Sequence, residues 1–396
     1  MGGERRDTEC LARTRRRLLL TAAAGAVGLA LSCSASGNPV LVAGKAVTTV
    51  TSSRVSYRGW LEVSSLSGDD KRPLTRRLRR SERRYDYKPT WSPDGSRVAF
   101  ARWTPKQLAL MVVNDDGTGL HRVAEFSHRE SVDARAYAVW NIRWSPDGKS
   151  LAYLVSRPLG RQPTEGIYVA SSTGPGQRLL AALPRKPSGY FSLFGWTADG
   201  RRVTYAFSRG EPLIFQYEGP AQLKTVSSEG IGRRTLLVED AVTDASWSPD
   251  GSLVYVRHCA DDPCQLAVLD PSGQSRPLTH FKPWPNVVGW DDLPFARRPT
   301  TGGIVYTHGR TVYEVSPTTE KARTVRTLRC PRKRCHLLDD EISFAGITTD
   351  GRFALIEHEN NGGDSEFRRD YRLELDTGAL TRIHLAIAAP AGVYLP

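Results

Sequence analysis

The apolar residues of this chain come in short runs that recur in a fixed order. A tight turn is followed by an apolar run: Val98-Ala-Phe100, Leu151-Ala-Tyr153, Val203-Thr-Tyr205, Leu253-Val-Tyr255, Ile304-Val-Tyr306 and Phe353-Ala-Leu355. A variable loop comes next. An alternating stretch follows it, such as Leu108-Ala-Leu-Met-Val-Val113, Ile167-Tyr-Val169 or Leu266-Ala-Val-Leu269. A Gly- or Pro-containing turn, as in Asn114-Asp-Asp-Gly117 or Asp270-Pro-Ser-Gly273, then leads into a short last run. Short apolar or alternating segments bounded by such turns predict strands, four to a unit.

The turn that opens each unit is nearly invariant. Trp91-Ser-Pro-Asp-Gly95 returns as Trp144-Ser-Pro-Asp-Gly148 and Trp247-Ser-Pro-Asp-Gly251, with Trp196-Thr-Ala-Asp-Gly200 as a variant. A weaker copy is expected to start at Trp290-Asp-Asp, and the last reads Ile347-Thr-Thr-Asp-Gly351. These anchors stand 53, 52, 51, 43 and 57 residues apart. The motif has a physical logic. Pro fixes φ, Asp caps its own backbone, Gly accepts φ > 0, and the Trp ring can be buried between neighbouring sheets. Four short strands in a repeat of roughly 40–50 residues predict an all-β fold, a β-propeller of four-stranded blades.

Seven blades are favoured and six is the alternative. Six units carry anchors. Residues 40–78 add two or three strands without one, and Ala391-Gly-Val-Tyr-Leu395 would supply a missing inner strand and close a seventh blade. Otherwise the N-terminal piece is an outer addition to six. Arg72-Pro-Leu-Thr75 and Arg276-Pro-Leu-Thr279 mark outermost strands, where Pro is tolerated.

The Trp-Ser-Pro-Asp-Gly turns resemble the WD40-like (PD40) repeats of TolB-type propellers, also seen in the non-catalytic domain of prolyl-oligopeptidase-like peptidases. The resemblance runs from about residue 59 onward and implies the fold while being nearly silent on ligand. The further N-terminal domain of TolB and the hydrolase domain of the peptidases are not expected here.

The only continuously apolar stretch is Leu18–Leu31, too short to span a bilayer comfortably. Arg15, Arg16 and Arg17 precede it and Cys33 follows, the plan of a secretory signal peptide. Thr14-Arg15-Arg16-Arg17-Leu18-Leu19 resembles a twin-arginine export signal and Leu29-Ala-Leu-Ser-Cys33 a lipobox. Cys33 is then the lipidation candidate, the other reading being a cysteine lost on cleavage. The expected organisation is a signal peptide over residues 1–33, a linker over 34–45 and the propeller over 46–396. The mature protein is expected outside the cytoplasm, anchored as a lipoprotein to the outer face of the cytoplasmic membrane.

The chain carries a net charge of +13. Between Lys71 and Lys88 nine Lys or Arg stand against Glu82 and Asp86, a local +7. Such a field attracts anionic partners, or is a solvated basic loop. An exported chain rarely meets nucleic acid, so none is expected. Cys259, Cys264, Cys330 and Cys335 form two Cys-x4-Cys pairs, which read as disulfides in an oxidising compartment. A four-thiolate zinc site is the rival, with less suitable spacing.

Loops after the second and fourth strands of each unit share one face, and they hold the candidate ligand-binding residues Arg76, Arg77, Arg79, Arg80, Tyr137, Trp140, Arg157, Arg161, Trp284, His258 and His358. Gly-x-Ser-x-Gly, His-Glu-x-x-His, Walker and Gly-x-Gly-x-x-Gly motifs are all absent from the sequence, so no catalytic residue, metal or cofactor is named. The leading expectation is a non-enzymatic, monomeric binding scaffold that presents this face to a protein or an anionic envelope component, such as a lipid headgroup or wall polymer. The alternative is a propeller-fold lyase or hydrolase acting on an acidic carbohydrate, with a metal held by loop histidines drawn from His258, His308, His336 and His358.

Overall fold

The computed structural model describes residues 45–51, 58–65, 70–79, 81–127, 138–156, 165–184, 189–211, 216–217, 220–239, 241–259, 262–281, 293, 295–329, 340–348, 350–360 and 367–383. Every regular element among them is a strand. Strands β1 (Lys45–Thr51), β2 (Arg58–Ser65) and β3 (Arg72–Pro73) come first. Six four-stranded blades follow. The first is β4 (Arg84–Trp91), β5 (Arg97–Thr104), β6 (Gln107–Asn114) and β7 (His121–Ser127). The second is β8 (Ala138–Trp144), β9 (Ser150–Ser156), β10 (Gly166–Ser171) and β11 (Gln177–Ala182). The third is β12 (Gly189–Trp196), β13 (Arg202–Glu211), β15 (Ala221–Ser227) and β16 (Arg234–Glu239), with the short β14 (Gln216–Tyr217) paired to the end of β13. The fourth is β17 (Ala241–Trp247), β18 (Leu253–Cys259), β19 (Asp262–Leu269) and β20 (Ser275–Pro277). The fifth is β21 (Phe295–Arg297), β22 (Ile304–His308), β23 (Thr311–Val315) and β24 (Ala322–Thr327). The sixth is β25 (Asp340–Ile347), β26 (Phe353–Asn360), β27 (Phe367–Glu374) and β28 (Leu380–Ile383). Each blade is an antiparallel meander, so the fold is a β-propeller.

The recurring turn does what its residues dictate. In the first blade the Gly95 N–H donates to Ser92 O (2.9 Å), the Ser92 hydroxyl donates to Asp94 Oδ1 (2.5 Å), and Gly95 takes φ = 70°. The Trp that precedes the turn ties one blade to the last. Trp144 donates its indole N–H to Thr90 O (3.1 Å) and Trp196 donates to Arg143 O (3.0 Å). Trp247 donates to Thr204 Oγ1 (2.7 Å). The apolar core is correspondingly divided into layers, each between the facing sides of two consecutive sheets.

The fifth turn is not where the sequence placed it. The expected anchor Trp290 lies outside the described residues, and the turn is Arg297-Arg298-Pro299-Thr300-Thr301-Gly302, closed by Gly302 N–H to Arg298 O at 2.9 Å. Arg297 stands in the Trp place, so the true spacings are 53, 52, 51, 50 and 50 residues. The irregular pair of spacings was an artefact of following Trp.

Strands β1–β3 repeat the back of a blade. The Thr75 hydroxyl accepts the Leu61 N–H at 2.9 Å, as the Thr279 hydroxyl accepts that of Leu266 at 2.9 Å, so the two Arg-Pro-Leu-Thr segments play one role at a sheet edge. Val47, Leu61, Val63 and Leu74 pack on Trp91, Val98 and Phe100, as one blade packs on the next. Residues 391–395, expected to close this unit, lie outside the described residues. Trp91 marks the difference: its indole N–H is buried without an acceptor, and β1–β3 offer it no inner strand among the described residues.

Candidate functional site

Five of the six innermost strands carry a defect shortly before the repeat turn. The pairing register shifts in β4 (Tyr87/Thr90), β8 (Trp140/Arg143), β12 (Leu193/Gly195), β17 (Val242/Asp244) and β25 (Phe344/Gly346). A β-bulge twists the strand locally and re-aims a side chain. In β12 and β25 the residue with positive φ is a glycine, Gly195 or Gly346. In β4 and β8 a different position, three residues before the Trp, is left-handed: Lys88 (φ = 52°) and Asn141 (φ = 49°). Left-handed backbone is costly for a residue with a Cβ, and a lysine has no short polar group to offset the cost locally. Such an outlier is a pointer to function.

The bulges bring charges from separate blades together. Arg143 Nε donates to Phe194 O of the third blade at 3.1 Å. Burial lowers the Arg143 pKa, and Asp244 opposes that effect. Arg143 is on the second blade and Asp244 on the fourth. Burial lowers Lys88 to about 8, and the neighbouring Arg143 adds to the shift. Lys88, Arg143 and Asp244 are thus electrostatic neighbours in turn, drawn from the first, second and fourth blades.

The sequence-derived site is largely elsewhere. Arg76 pairs with Glu82 (2.7 Å) and Arg77 with Glu62 (3.2 Å), while the Arg79 N–H donates to Glu82 Oε2 (3.0 Å) and its carbonyl accepts from Arg58 (2.7 Å). Further along, Arg84 and Arg102 both engage Asp86, which is fully buried; Arg102 does so through two bonds of 2.7 and 2.9 Å. The basic segment is thus a strapped loop with part of its charge internally matched. Arg80, Tyr137, Arg157, Arg161 and Trp284 lie outside the described residues, as do Cys33, Cys330 and Cys335. Trp140 is on β8, and Cys259 and Cys264 are on the β18–β19 hairpin, with side chains outside those described.

The histidines are not where loops were expected. His258 is in β18 and His358 in β26, because both second strands run farther than the apolar pattern implied. His358 is buried, opposite Ile342 and Arg369 in the sheet. His308 stacks on Phe281 with ring centres 4.2 Å apart. The side chains of His258 and His336 are outside the described ones. Among the described residues no three His, Cys, Asp or Glu gather as a metal site.

The sequence reading passed over Lys88 as a site residue and over Asn141, Arg143 and Asp244 entirely. A usable signal was there: each lies one to three residues before a repeat Trp, in what the motif marks as the innermost strand.

No protein-family model matches the chain, and no curated protein does. Solved structures do. A prolyl endopeptidase matches with a TM-score of 0.58 and 15% identity, over 94% of this chain and 53% of its own. A Mycobacterium tuberculosis puromycin-hydrolyzing peptidase matches at 0.58 and 14%, over 90% and 54%. An oligogalacturonate lyase in complex with manganese matches at 0.52 and 12%, over 87% and 86%. The chain spans about half the length of these peptidases. At such identities the likeness establishes the fold.

The matched structures named here are peptidases and a lyase, so the expectation of a binding scaffold that is not an enzyme finds no support among them. The expectation rested on missing local motifs. In a propeller a site assembles from side chains about 50 residues apart, which no local motif captures.

Proposed function

We propose that this chain is a propeller enzyme, a lyase or hydrolase, acting on a carboxylate-bearing carbohydrate. The observation that carries the reading is the likeness to the oligogalacturonate lyase, since that match covers most of both chains. Lys88 and Arg143, electrostatic neighbours on two inner strands, are cations that would suit an acidic sugar. The Trp-Ser-Pro-Asp-Gly turns support assignment of the repeat to the TolB type. The segment from Arg15 to Cys33 supports export, with Cys33 as the anchor.

The purified chain should be incubated with polygalacturonate and its oligomers, with and without added manganese. A lyase introduces a double bond seen by ultraviolet absorbance, and a hydrolase releases reducing ends without it. Either product supports the proposal. Neither product on any uronate polymer overturns it.

A further inference from the structure

We propose that residues 391–395 dock as a strand on the open edge of β1, complete the sheet of β1–β3 as its inner strand, and supply the carbonyl oxygen that the buried Trp91 indole lacks. The docking is independent of the enzymatic reading.

Two observations define the slot. First, β1–β3 are the second, third and fourth strands of a blade. The Leu61 carbonyl of β2 accepts the Leu74 and Thr75 N–H groups at 2.8 and 3.2 Å; the Leu266 carbonyl, on the third strand of the fourth blade, accepts those of Leu278 and Thr279 at 2.7 and 3.3 Å. β1 pairs with β2 along its whole length and, among the described residues, with no other strand. Such an edge presents a row of N–H and C=O groups that templates another strand. Second, Trp91 is 1% exposed and its indole N–H meets no acceptor. Trp144 donates to Thr90 O and Trp196 to Arg143 O, in each case the carbonyl one residue before the preceding anchor, at the end of an inner strand. Trp247 uses Thr204 Oγ1 on the second strand of the preceding blade instead. Trp91 has neither, and a buried donor left unpaired is costly.

Spacing and composition name the occupant. The last two anchors, Arg297 and Ile347, stand 50 residues apart, and inner strands such as β8, β12, β17 and β25 run up to their anchors. A further step of the repeat from Ile347 puts the next inner strand over about residues 390–396. That stretch contains Ala391-Gly-Val-Tyr-Leu395, which is free of charge and holds Val, Tyr and Leu, as a strand covered on both faces requires. Seven residues separate Ile383, the end of β28, from Ala391, within the one to seventeen that join an outer strand to the next inner one elsewhere. The chain leading towards β1 is a poorer occupant: Ser34-Ala-Ser-Gly-Asn-Pro39 lacks strand-forming residues.

Amide hydrogen exchange on the full chain, read by peptide mass, tests the docking. Residues 391–395 and β1 should both exchange roughly 100-fold or more slowly than free chain. Val393→Pro removes a strand N–H and should release both segments while leaving β9 and β10 of the second blade as they were. Trp91→Phe keeps a buried ring and removes the donor, and should speed exchange of residues 391–395 by roughly 5-fold. Free-chain exchange of residues 391–395 in the wild type overturns the docking. So does a Val393→Pro chain in which residues 391–395 are released and β1 stays protected, since they then dock elsewhere. Protection that grows with protein concentration, with a dimer in light scattering, overturns it in favour of a strand from a second copy. If Val393→Pro loosens β9 and β10 as well, Trp91→Phe decides: exchange of residues 391–395 equal to wild type overturns the docking, and faster exchange supports it.

Discussion

Trp196 of the third blade donates its indole N–H to the carbonyl oxygen of Arg143 in the second, at 3.0 Å. The Arg143 guanidinium reaches forward in turn to Phe194 O, two residues before that Trp. A residue of the repeat motif thus fixes the backbone of an arginine on the neighbouring blade. Trp196→Phe keeps a buried ring and loses the bond. It should cost about 1 kcal/mol in chemical denaturation. Trp196→Ala also leaves a cavity between blades and should cost about 3–5 kcal/mol.

Lys88 should behave as a residue kept at the expense of stability. Burial lowers its folded-state pKa to about 8 from 10.5. At pH 7 the ammonium is charged in both states, and the folded state bears the desolvation. Lys88→Met should therefore raise stability by about 1–3 kcal/mol at pH 7. Between pH 8 and 10.5 the folded chain binds fewer protons than the unfolded one, so the Lys88 contribution makes wild type more stable as pH rises. The advantage of Lys88→Met should shrink across that window. Urea unfolding at several pH values measures both effects.

Asp86 should matter to the fold more than its position in a basic loop implies. It is fully buried, held by Arg102 through two bonds, with Arg84 3.4 Å away. Asp86→Ala leaves half-buried guanidinium groups without their carboxylate and should cost about 3–5 kcal/mol. The Asp86→Ala/Arg102→Leu pair should cost less than the sum of the single changes, which a double-mutant cycle in urea detects.

Acid should loosen the repeat turns together. The Ser92 hydroxyl and then the Ser96 groups hold Asp94 down at about 2, against an ordinary 3.8. Asp147 is lowered chiefly by the Ser145 hydroxyl, Asp199 by that of Thr197 and Asp250 by the Ser252 N–H. A depressed carboxylate contributes stability above its unfolded pKa and loses it as pH falls through the folded value. Stability should therefore decline from near pH 4 towards pH 2. Asp94→Asn should flatten part of that decline, as followed by tryptophan fluorescence.

The strand order within each blade was legible because turns and apolar runs are local signals. So was the edge position of both Arg-Pro-Leu-Thr segments, since Pro73 and Pro277 cannot donate to a further strand. The fifth anchor was misplaced because Arg297 substitutes for the Trp, and only the backbone bond from Gly302 to Arg298 shows the turn. His358 was read as a loop residue because β26 continues in polar residues past Ile356, where apolar alternation stops but sheet pairing does not.

The sequence by itself determined the repeat, its turns and the all-β fold, because each depends on residues within a few positions of one another. It also showed a concentration of basic residues before the first blade. Only the tertiary structure decided which charges meet. Arg76, Arg77 and Arg84, adjacent in sequence, are tied to carboxylates nearby. Lys88, Arg143 and Asp244, more than 150 residues from first to last, become electrostatic neighbours because the inner strands that carry them belong to blades gathered in one ring. Register within a strand can be read from local pattern, whereas convergence across blades is a property of the closed arrangement of sheets.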